Sequence, residues 1–478
     1  MSNDDLCYLS ATEALDLFRS RKLSPRELLG ALIERAGHVN SKVNCFADRY
    51  FDEAMDRARQ SEARYMKSSA RLSALEGLPL AVKDAQRVAG KRTTHGSLIF
   101  KDTVDHQSDP MIERLQTSGA IIFARTTTPE FCLSGVTRSR IWGNTLNPWN
   151  RAWGPGGSSG GSGAALAAGL TTLATGTDIG GSIRIPAAAC GVVGFKPPHG
   201  RNPDGPPANF DRFNHCGPMT RTVADAALMQ NVTSGPHPLD HDSIRARVKL
   251  PLSAQSIKGL KIAFSVDFGY VEVESDVRRN MLHAVDVFRR LGATVQDVDL
   301  GWTADVDADC FHWYNMMNFG RQAIWHARDN ANLMTDYALT FAEAAARNST
   351  LDDVHRPWAR SHRMYQTLGP VLDTHDVFVC PTNNAAAVKA GHDPWDPHFT
   401  VNGKKADPEY GWVMTHQFNM LHNCPVLAVP SGHAVSGVPT GIQIVGRTWD
   451  DARVFKAALA YEREIGGWYT STEKRPVI

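Results

Sequence analysis

Two glycine-rich segments, Gly154-Pro-Gly-Gly-Ser-Ser-Gly-Gly-Ser-Gly163 and Asp178-Ile-Gly-Gly-Ser-Ile-Arg184, stand close together in this sequence. Glycines at this density allow backbone N–H groups to approach a bound group closely. The run between the two segments, Ala164-Ala-Leu-Ala-Ala-Gly-Leu170, consists of small and apolar residues that suit burial. We therefore expect the two segments to form serine-bearing turns at one active site.

The charge balance of the chain indicates no polyionic partner. Of 478 residues, 51 are Lys or Arg and 50 are Asp or Glu, which gives a net charge of +1. Such a balance supplies no general field for nucleic acid, a membrane surface or acidic substrates. The sequence therefore predicts a small-molecule substrate and neither nucleic acid nor membrane as a partner. Homodimers are common among proteins of this size, so a homodimer is one assembly that the sequence allows.

The sequence shows no recognisable targeting or membrane-spanning segment. Its start, Met1-Ser-Asn-Asp-Asp5, is acidic and lacks the basic and apolar regions of a secretory signal. No apolar run reaches the roughly 18 residues that a membrane-spanning helix needs. The eight cysteines are scattered without a Cys-x-x-Cys pair, which is typical of reduced thiols. These features predict a cytoplasmic enzyme.

The first part of the chain has the pattern of helices. Ser10-Ala-Thr-Glu13 has the spacing of a capping box, and Ser24-Pro-Arg-Glu27 places a capping serine before a proline. A further polar helical run covers about Glu53 to Met66. We expect residues 1–70 to be N-terminal helices packed on the outside of the core.

A buried strand is predicted next, at Gly77-Leu-Pro-Leu-Ala-Val-Lys-Asp84. Its short apolar run ends in a charged pair, as happens where a strand emerges at one edge of a sheet. In open α/β sheets, ligands bind at that edge. Lys83 is therefore a candidate functional residue.

Helical and strand-like runs alternate along most of the remaining chain. A helix and a strand are expected within Asp109 to Arg125, a helix over Ala164 to Leu170 and a strand over Thr171 to Thr175. The segments Thr126 to Trp153 and Lys196 to Pro218 are rich in Pro, Gly and Asn and are predicted loops. Later strands are predicted at Leu260–Ser265, Ala293–Val295, Asp376–Pro381, Pro425–Pro430 and Gly441–Gly446, with a helix over Ser275–Leu291.

These runs predict an α/β fold without a strong internal boundary. We expect one domain over 1–478, in which residues 71–220 form the core with the catalytic residues. Residues 221–478 would then supply the rest of the sheet and the wall of the substrate pocket. The stretch from about Trp302 to Gln366 is irregular or helical and rich in aromatic residues.

Several catalytic templates are excluded. The sequence contains neither a P-loop nor a His-Glu-x-x-His motif. Asp305-x-Asp307-x-Asp309 begins like a calcium loop, but Cys310 and Met316 replace the required Gly and Glu. We therefore predict no metal and no organic cofactor.

A lipase-like Gly-x-Ser-x-Gly pattern fits both Ser158 and Ser159. That pattern is meaningful only on a tight turn that directly follows a strand. Here the preceding residues are Asn147-Pro-Trp-Asn-Arg-Ala-Trp-Gly-Pro155, which do not suit a central strand. The lipase interpretation is therefore rejected.

The motifs together resemble the signature of the amidase signature family. The resemblance covers most of the chain and rests on linked motifs in the same order and at similar spacing. They are Gly77–Asp84, Gly156-Gly-Ser-Ser-Gly-Gly161, Asp178-Ile-Gly-Gly-Ser-Ile-Arg-Ile-Pro-Ala187, Cys190-Gly-Val-Val-Gly-Phe-Lys-Pro197, Cys380-Pro-Thr382 and Val438-Pro-Thr-Gly-Ile-Gln-Ile-Val-Gly446. The fold that this resemblance implies is a large mixed, mostly parallel central sheet with helices on both sides.

The resemblance implies a Ser–cisSer–Lys triad. Ser182 would be the nucleophile, Ser158 the bridging serine after a cis peptide bond from Gly157, and Lys83 the base. A serine hydroxyl is a weak nucleophile until a neighbour removes its proton. A lysine removes it only when burial or neighbouring charge keeps the amine neutral.

The resemblance also assigns the residues around the triad. It implies that the N–H groups of four consecutive residues, Ile179, Gly180, Gly181 and Ser182, stabilise the oxyanion that forms on attack. Asp178 and Arg184 are expected to brace this turn by hydrogen bonds. Ser159, beside the bridging serine, is expected to support the site without reacting.

The sequence departs from the family near the substrate pocket. Many members have Gly-Lys-Thr-Asn where this chain has Ala124-Arg-Thr-Thr127, and Arg138-Ser-Arg140 replaces a common Asn-bearing stretch. The loop from Phe131 to Trp153 is a candidate pocket wall. The residues that we assign to the pocket are Ser134, Gly135, Trp313, Tyr314 and Phe319.

These observations predict an amidase that cleaves the C–N bond of a small carboxylic amide through an acyl-enzyme on Ser182. Aryl or alkyl amides are the leading class, and esters or carbamates would react by the same acyl chemistry. The alternative within the family is the glutaminase subunit of a tRNA-dependent amidotransferase. In such subunits an acidic residue precedes the Thr-x-x-x-Asn stretch, whereas Gly411-Trp-Val-Met-Thr-His-Gln-Phe-Asn419 has no acid after Glu409. A catalytically silent binding protein of the same fold is a third interpretation.

Overall fold

An eleven-stranded mixed sheet forms the centre of the protein. The structure is a computed structural model, and it describes residues 2–67, 69, 71–317, 319–348, 350 and 355–478. The fifteen strands are β1 (Phe46–Arg49), β2 (Pro79–Lys83), β3 (Ile121–Thr126), β4 (Arg138–Ser139), β5 (Gly143–Asn144), β6 (Leu173–Asp178), β7 (Val193–Lys196), β8 (His215–Thr220), β9 (Lys261–Phe264), β10 (Thr294–Asp297), β11 (Val377–Pro381), β12 (Thr400–Val401), β13 (Lys404–Lys405), β14 (Val426–His433) and β15 (Pro439–Gly446).

Helices cover both faces of this sheet. The α-helices are α1 (Asn3–Cys7), α2 (Ala11–Arg19), α3 (Pro25–Val43), α4 (Phe51–Met66), α5 (Pro110–Thr117), α6 (Gly160–Ala167), α7 (Arg184–Cys190), α8 (Val223–Thr233), α9 (Ser275–Arg290), α10 (Asp305–Met317), α11 (Phe319–Asn330), α12 (Asp336–Asn348), α13 (His355–Thr374), α14 (Gln417–Met420) and α15 (Asp451–Glu464). Short 3-10 turns occur at Leu98–Phe100, Glu130–Cys132, Ala208–Phe210, Ala331–Leu333 and Thr472–Lys474.

The strand order in the sheet is β1-β3-β2-β6-β8-β7-β14-β15-β11-β9-β10. The expectation of parallel pairing holds for two blocks, β3-β2-β6 and β11-β9-β10. The strands between these blocks pair antiparallel, as does β1 at the edge. The predicted large mixed sheet with helices on both sides is confirmed.

The first parallel block places functional residues together. In β2, Leu80 and Val82 pack toward one face of the sheet, whereas Ala81 packs toward the other. This alternation follows from the two-residue period of a strand. Because β2 and β6 are parallel neighbours, Lys83 and Asp178 end their strands at the same edge of the sheet.

The predicted N-terminal helices are present and capped as their sequence indicates. The hydroxyl oxygens of Ser10 and Ser24 accept hydrogen bonds from the backbone N–H groups of Glu13 and Glu27. Each pair is a reciprocal capping box, and such a box satisfies two otherwise free N–H groups of a helix. These caps fix where α2 and α3 begin.

Two elements near the glycine-rich segments differ from the predicted bounds. Helix α6 begins at Gly160, four residues before the expected start, and β6 runs on to Asp178 instead of ending at Thr175. Glycine has low helix propensity, so the glycines in the first turn of α6 do not predict a helix there. Strand β8 begins at His215, inside the segment that was expected to be a loop up to Pro218.

The aromatic stretch from Trp302 to Gln366 is helical over most of the residues that the structure describes there. It forms α10, α11, α12 and most of α13. Buried residues from these helices join the largest apolar cluster, which also contains strands β9, β11, β14 and β15. Within the described ranges, no helix is both long and apolar enough to cross a membrane.

Candidate active site

Lys83 is the last residue of β2, and its side chain is completely buried. Its Nζ lies at hydrogen-bond distance, 2.7 Å, from each of two hydroxyl oxygens, Ser158 Oγ and Thr177 Oγ1. Burial lowers the pKa of Lys83 from its ordinary value because the ammonium form loses its hydration. Burial therefore shifts the proton equilibrium of Lys83 toward the neutral amine, the form that accepts a proton.

The backbone at the base of Lys83 is tied to the neighbouring strand. Arg125 lies on β3 with a fully buried side chain, and its Nη2 donates to Lys83 O at 3.1 Å and to Gln86 O at 2.6 Å. Arg125 belongs to the Ala124–Thr127 stretch in which the sequence departs from its relatives. In this chain the arginine therefore serves as a brace for the end of β2.

Ser158 is buried in the loop before α6, and the peptide bond between Gly157 and Ser158 is cis. A side chain at position 157 would have no space, because an added Cβ would lie 2.7 Å from Ser134 O and 2.7 Å from the Gly135 carbonyl carbon. The loop of residues 134–135 thus packs directly on the Gly157–Ser158 peptide. Only glycine fits at position 157.

Ser182 lies in the turn between β6 and α7, and the carboxylate of Asp178 organises this turn. Asp178 Oδ1 accepts a hydrogen bond from Gly181 N at 2.9 Å, and its Oδ2 accepts one from Ile183 N at 3.2 Å. Burial alone would raise the pKa of Asp178, but the adjacent Arg184 guanidinium outweighs it and lowers the pKa well below the usual range. The turn is therefore held by a permanent negative charge.

Arg184 joins this turn to the C-terminal part of the chain. Its guanidinium and the Asp178 carboxylate are both fully buried and are 2.9 Å apart at Nη2 and Oδ1. The remaining donors are directed to acceptors far along the sequence, namely Thr415 O at 2.9 Å, Asn419 Oδ1 at 2.7 Å and Gln443 Oε1 at 2.9 Å. The expected bracing contacts of Asp178 and Arg184 are present in the structure.

Side chains from two other elements hold the carbonyl groups of the turn. Thr415 Oγ1 donates to Gly180 O, and Tyr314 on α10 donates its hydroxyl proton to Ile179 O, each at 2.6 Å. Since both carbonyls are held from behind, the adjoining peptide N–H groups have fixed directions. This is the arrangement that a preorganised oxyanion site requires.

The structure differs from the expectation for one of the four oxyanion donors. The N–H of Gly181 points to Asp178 Oδ1, so it stabilises the turn itself. The N–H groups of Ile179, Gly180 and Ser182 are left as candidate donors. The physical reason is that the buried Asp178 carboxylate must accept hydrogen bonds, and the N–H groups of the turn itself donate some of them.

Ser159 takes a supporting position between the two glycine-rich segments. Its N–H donates to Ser182 O at 3.1 Å, and its Oγ donates to Thr177 O at 3.3 Å. Both contacts run from the segment that carries Ser158 to the segment that carries Ser182. Ser159 therefore fixes the two serine-bearing turns relative to each other.

A narrow cavity of about 20 Å³ lies beside Ser182. Four of the five predicted pocket residues, Ser134, Gly135, Tyr314 and Phe319, line this cavity. Two larger cavities adjoin it. One, of about 190 Å³, shares Leu133 and Glu409 with it, and the other, of about 550 Å³, shares Tyr410.

Trp313, the fifth predicted pocket residue, lies elsewhere. Its ring packs against Phe213 with centroids 4.6 Å apart, and its Nε1 donates to Asp211 Oδ1 at 3.2 Å. Successive residues on an α-helix point about 100° apart, so Trp313 and its neighbour Tyr314 face different surroundings. Trp313 is not among the residues that line the cavity beside Ser182, and its assignment to the substrate pocket stays a prediction.

Sequence reasoning missed three residues beside the site. Thr177 accepts a hydrogen bond from Lys83, Cys132 lines the cavity of Ser182, and Glu409 lies between this cavity and its larger neighbour. Thr177 was detectable, since it lies between the predicted strand Thr171–Thr175 and the motif that begins at Asp178. Cys132 and Glu409 lie on irregular segments whose position in space the sequence pattern does not give.

Metal ligands are not grouped in the described part of the chain. No three His, Cys, Asp or Glu side chains there lie close enough together to hold an ion. The Asp305, Asp307 and Asp309 side chains, whose spacing resembles the start of a calcium loop, belong to helix α10.

Comparison with known proteins identifies the family. The model of the amidase family matches residues 27–455, which is most of the chain. The chain belongs to the amidase family, and it is therefore an enzyme that hydrolyses amide C–N bonds.

Its relatives differ in what they act on. The chain is 34% identical over 469 residues to an acylamidase of Rhodococcus erythropolis, with 97% of this chain and 96% of the relative covered. It is 31% identical over 481 residues to a glutamyl-tRNA(Gln) amidotransferase subunit of Geobacillus sp. (strain WCH70), with 95% and 96% covered. Among solved structures, a bacterial aryl acylamidase of the amidase signature family superposes with a TM-score of 0.87 at 28% identity, with 96% of each chain covered.

Proposed function

We propose that this amidase hydrolyses small aryl or alkyl amides through an acyl-enzyme on Ser182, with Ser158 as proton bridge and Lys83 as base. The observation that carries the proposal is the 2.7 Å contact between Lys83 Nζ and Ser158 Oγ in a fully buried setting. Burial lowers the pKa of Lys83 and so favours the neutral amine that a lysine base needs.

In the acylation step, protons move along the serine pair toward the lysine. The Ser182 hydroxyl passes its proton to Ser158 Oγ while the Ser158 hydroxyl passes its own proton to Lys83 Nζ. Lys83 accepts this proton on its lone pair and keeps a hydrogen bond to Thr177 Oγ1 through one of its N–H groups. Ser182 Oγ then forms a bond to the amide carbon, whose oxygen becomes negatively charged.

The N–H groups of Ile179, Gly180 and Ser182 would stabilise that oxygen. Tyr314 and Thr415 hold the turn through its carbonyl groups, so little reorganisation is needed when charge develops. As the C–N bond breaks, the proton held by Lys83 returns through Ser158 to the leaving nitrogen. Water, activated by the same two residues, then cleaves the ester on Ser182 and releases the carboxylic acid.

The cavities around the site support an apolar substrate. The 190 Å³ cavity next to the catalytic one is lined mainly by hydrophobic and aromatic side chains, with Leu133, Phe311, Tyr337, Phe341 and Trp395 among them. Aromatic rings of this kind bury flat or branched apolar groups well. The names of the acylamidase and aryl acylamidase relatives agree with this class. Esters and carbamates would enter by the same acyl chemistry.

Glutamine is the second candidate substrate, because several relatives belong to glutamyl-tRNA(Gln) amidotransferases. Against glutamine, Trp412 is fully buried against Gly135, in the segment just before Thr415 where those relatives are expected to carry an acid. Glu409 does reach the cavity, although no sequence motif indicates this. Burial raises its pKa to about 8, and both its oxygens hold hydrogen bonds within the protein, so it is poorly suited to bind an ammonium group.

The experiment that tests the proposal compares hydrolysis of p-nitroacetanilide, hexanamide and glutamine by the purified chain. The same preparation is then treated with a fluorophosphonate probe, and its intact mass is measured. We expect turnover of the first two amides and one adduct that is lost in Ser182→Ala. The exposed Ser41→Ala serves as the matched control and should keep the adduct.

Two results would overturn the proposal. An adduct that survives Ser182→Ala and disappears in Ser158→Ala would move the nucleophile to Ser158. Release of ammonia from glutamine alone, with no turnover of the anilide, would favour the amidotransferase function. The expected cytoplasmic location, the homodimer and the division into segments at residues 70 and 220 stay predictions.

A further inference from the structure

Glu409 is a buried carboxyl group with two hydrogen-bond partners on one loop. Only 9% of the residue is exposed. Its Oε1 accepts from Gly135 N at 2.6 Å, and its Oε2 is 3.0 Å from Ser134 Oγ. Both partners belong to the loop that packs on Gly157, and all three residues line the cavity beside Ser182. Glu409 therefore holds the wall of the catalytic cavity.

The hydroxyl of Ser134 has two hydrogen-bond neighbours within the protein. Besides Glu409, the backbone N–H of Val136 reaches Ser134 Oγ at 3.0 Å and occupies one of its two lone pairs. A serine hydroxyl has one proton to donate and two lone pairs to accept. The direction of that single proton therefore depends on whether Glu409 is a carboxylate or a carboxylic acid.

The two states of Glu409 give opposite arrangements. A carboxylate only accepts, so the Ser134 hydroxyl must donate to Oε2 and has no proton left for a hydrogen-bond acceptor of a ligand. A carboxylic acid donates its proton to the free lone pair of Ser134 Oγ. The Ser134 proton is then released toward the cavity, while the bond from Gly135 N to Oε1 is unchanged in either state.

We propose that Glu409 is a positioning residue whose protonated carboxyl turns the Ser134 hydroxyl toward a hydrogen-bond acceptor of the substrate beside Ser182. This inference rests on the proposed function, because it assumes that the substrate amide reacts at Ser182. The substrates concerned carry an oxygen or nitrogen acceptor next to the reacting amide. Simple alkyl amides lack that acceptor and gain nothing from Ser134.

The surroundings of Glu409 support the protonated form at neutral pH. Burial raises its pKa to about 8, the two loop contacts oppose that shift, and the nearby Asp407 carboxylate adds to it. Glu409 lines both the cavity beside Ser182 and the 190 Å³ cavity. The other titratable groups that line these two cavities are Cys132, Tyr314, Tyr337, Asp396, Lys405 and Tyr410. Of these, the only cation is Lys405, which is exposed to solvent.

The test uses Glu409→Gln, which copies the protonated state at every pH. The amide oxygen of glutamine can accept from Gly135 N, and its NH₂ group can donate to Ser134 Oγ. We measure kcat/KM from pH 6 to 10 for an anilide with an acceptor beside the amide, such as methoxyacetanilide, and for unsubstituted acetanilide. The plain anilide reports the titration of Lys83 alone. Relative to it, kcat/KM of the wild type for the methoxy substrate should fall about ten-fold as the pH rises through about 8, as expected for one lost hydrogen bond. Glu409→Gln should show no such loss.

Ser134→Ala is the matched variant. It should lower kcat/KM at pH 7 about ten-fold more for the methoxy substrate than for the plain anilide, and should remove the loss around pH 8. A loss around pH 8 that persists in a folded Glu409→Gln protein would overturn the proposal. Equal effects of Ser134→Ala on both substrates would also overturn it, because they would indicate a merely structural role.

Thermal unfolding reports on Glu409 without any substrate. A raised pKa in the folded state means that stability is full below the unfolded pKa, near 4.5, and is lost as pH rises through about 8. The difference between the melting temperatures of Glu409→Gln and the wild type should therefore increase in favour of the variant between pH 5 and 8. Above about pH 9 this difference should be constant. A constant difference would contradict the raised pKa and with it the proposal. Failure of the proposed function would appear separately, as no anilide turnover and no adduct at Ser182.

Discussion

Lys83 Nζ lies 2.7 Å from Ser158 Oγ, and both side chains are completely shielded from solvent. The contact joins the end of a central strand to a loop that is 75 residues away in the sequence. Most lysines are charged and exposed at the surface. Burial destabilises the charged form of Lys83, so its amine is suited to accept a proton.

Replacing Lys83 by methionine should abolish most of the acylation. Methionine keeps the apolar volume and removes the base, so we expect kcat to fall by about 10²–10⁴, the usual contribution of one general base. The rate of fluorophosphonate labelling, followed by intact mass, measures the step directly. The exposed Lys101→Met should label like the wild type. Equal labelling of Lys83→Met and wild type would remove Lys83 from the mechanism.

The pH dependence of kcat/KM should reveal the state of Lys83. Only the neutral amine accepts a proton, so activity rises with pH until the lysine is deprotonated. Because burial lowers the pKa of Lys83, the midpoint of this rise should lie below the ordinary lysine value of 10.5. A midpoint at or above 10.5 in the wild type would be inconsistent with the buried base.

Asp178→Asn should destabilise the protein strongly. The substitution leaves the Arg184 guanidinium buried without its counter-charge, and breaking a buried pair in this way costs about 3–5 kcal/mol. Urea unfolding at pH 7 measures the loss. Asp16→Asn is the matched control, because Asp16 also pairs with an arginine at 3.0 Å but both side chains are more than half exposed. Its cost should stay below about 1 kcal/mol.

Gly181→Ala should inactivate the enzyme. Gly181 has a φ of +122°, which L side chains rarely adopt, and an added Cβ would overlap Thr415 Oγ1, the group that holds Gly180 O. Gly259→Ala is the control, because Gly259 has a φ of +84° and open space around it. We expect the control to lose only stability, whereas Gly181→Ala loses kcat as well. Anilide turnover and thermal unfolding of both variants separate the two effects.

Leu133→Phe should alter substrate selection. Leu133 lines both the cavity beside Ser182 and the 190 Å³ cavity, so a larger side chain there narrows the connection between them. For an anilide with a bulky acyl group, kcat/KM should fall about 10–200-fold, while the value for acetamide should change little. A uniform loss for both amides would mean that large substrates do not use the second cavity.

Most of the fold was predictable because its strands are buried apolar runs. Strands β2, β9, β11, β14 and β15 lie where such runs occur, and the capping boxes at Ser10 and Ser24 give the starts of α2 and α3. The start of α6 was not predictable from local preference. There Gly161 is required by contact, since an added Cβ would press on the backbone of Thr127.

The catalytic residues were predictable because they belong to sequence motifs. Lys83, Ser158 and Ser182 were located from three linked motifs, and the structure places Lys83 and Ser158 in contact. Cys132 and Glu409 reach the cavity beside Ser182 from irregular segments that carry no periodic pattern. Their positions follow from tertiary packing, as do the contacts of Trp313 with Phe213 and Asp211.

The hydrogen bonds of the Arg184 guanidinium determine when, during synthesis of the chain, the turn around Ser182 is held in place. Three acceptors of its guanidinium come from Thr415, Asn419 and Gln443, which the ribosome adds more than 200 residues after Arg184. A nascent chain that has only just emerged with Ser182 therefore carries its reactive serine on an unbraced turn. The turn that carries Ser182 is therefore fully braced only after Gln443 has been added.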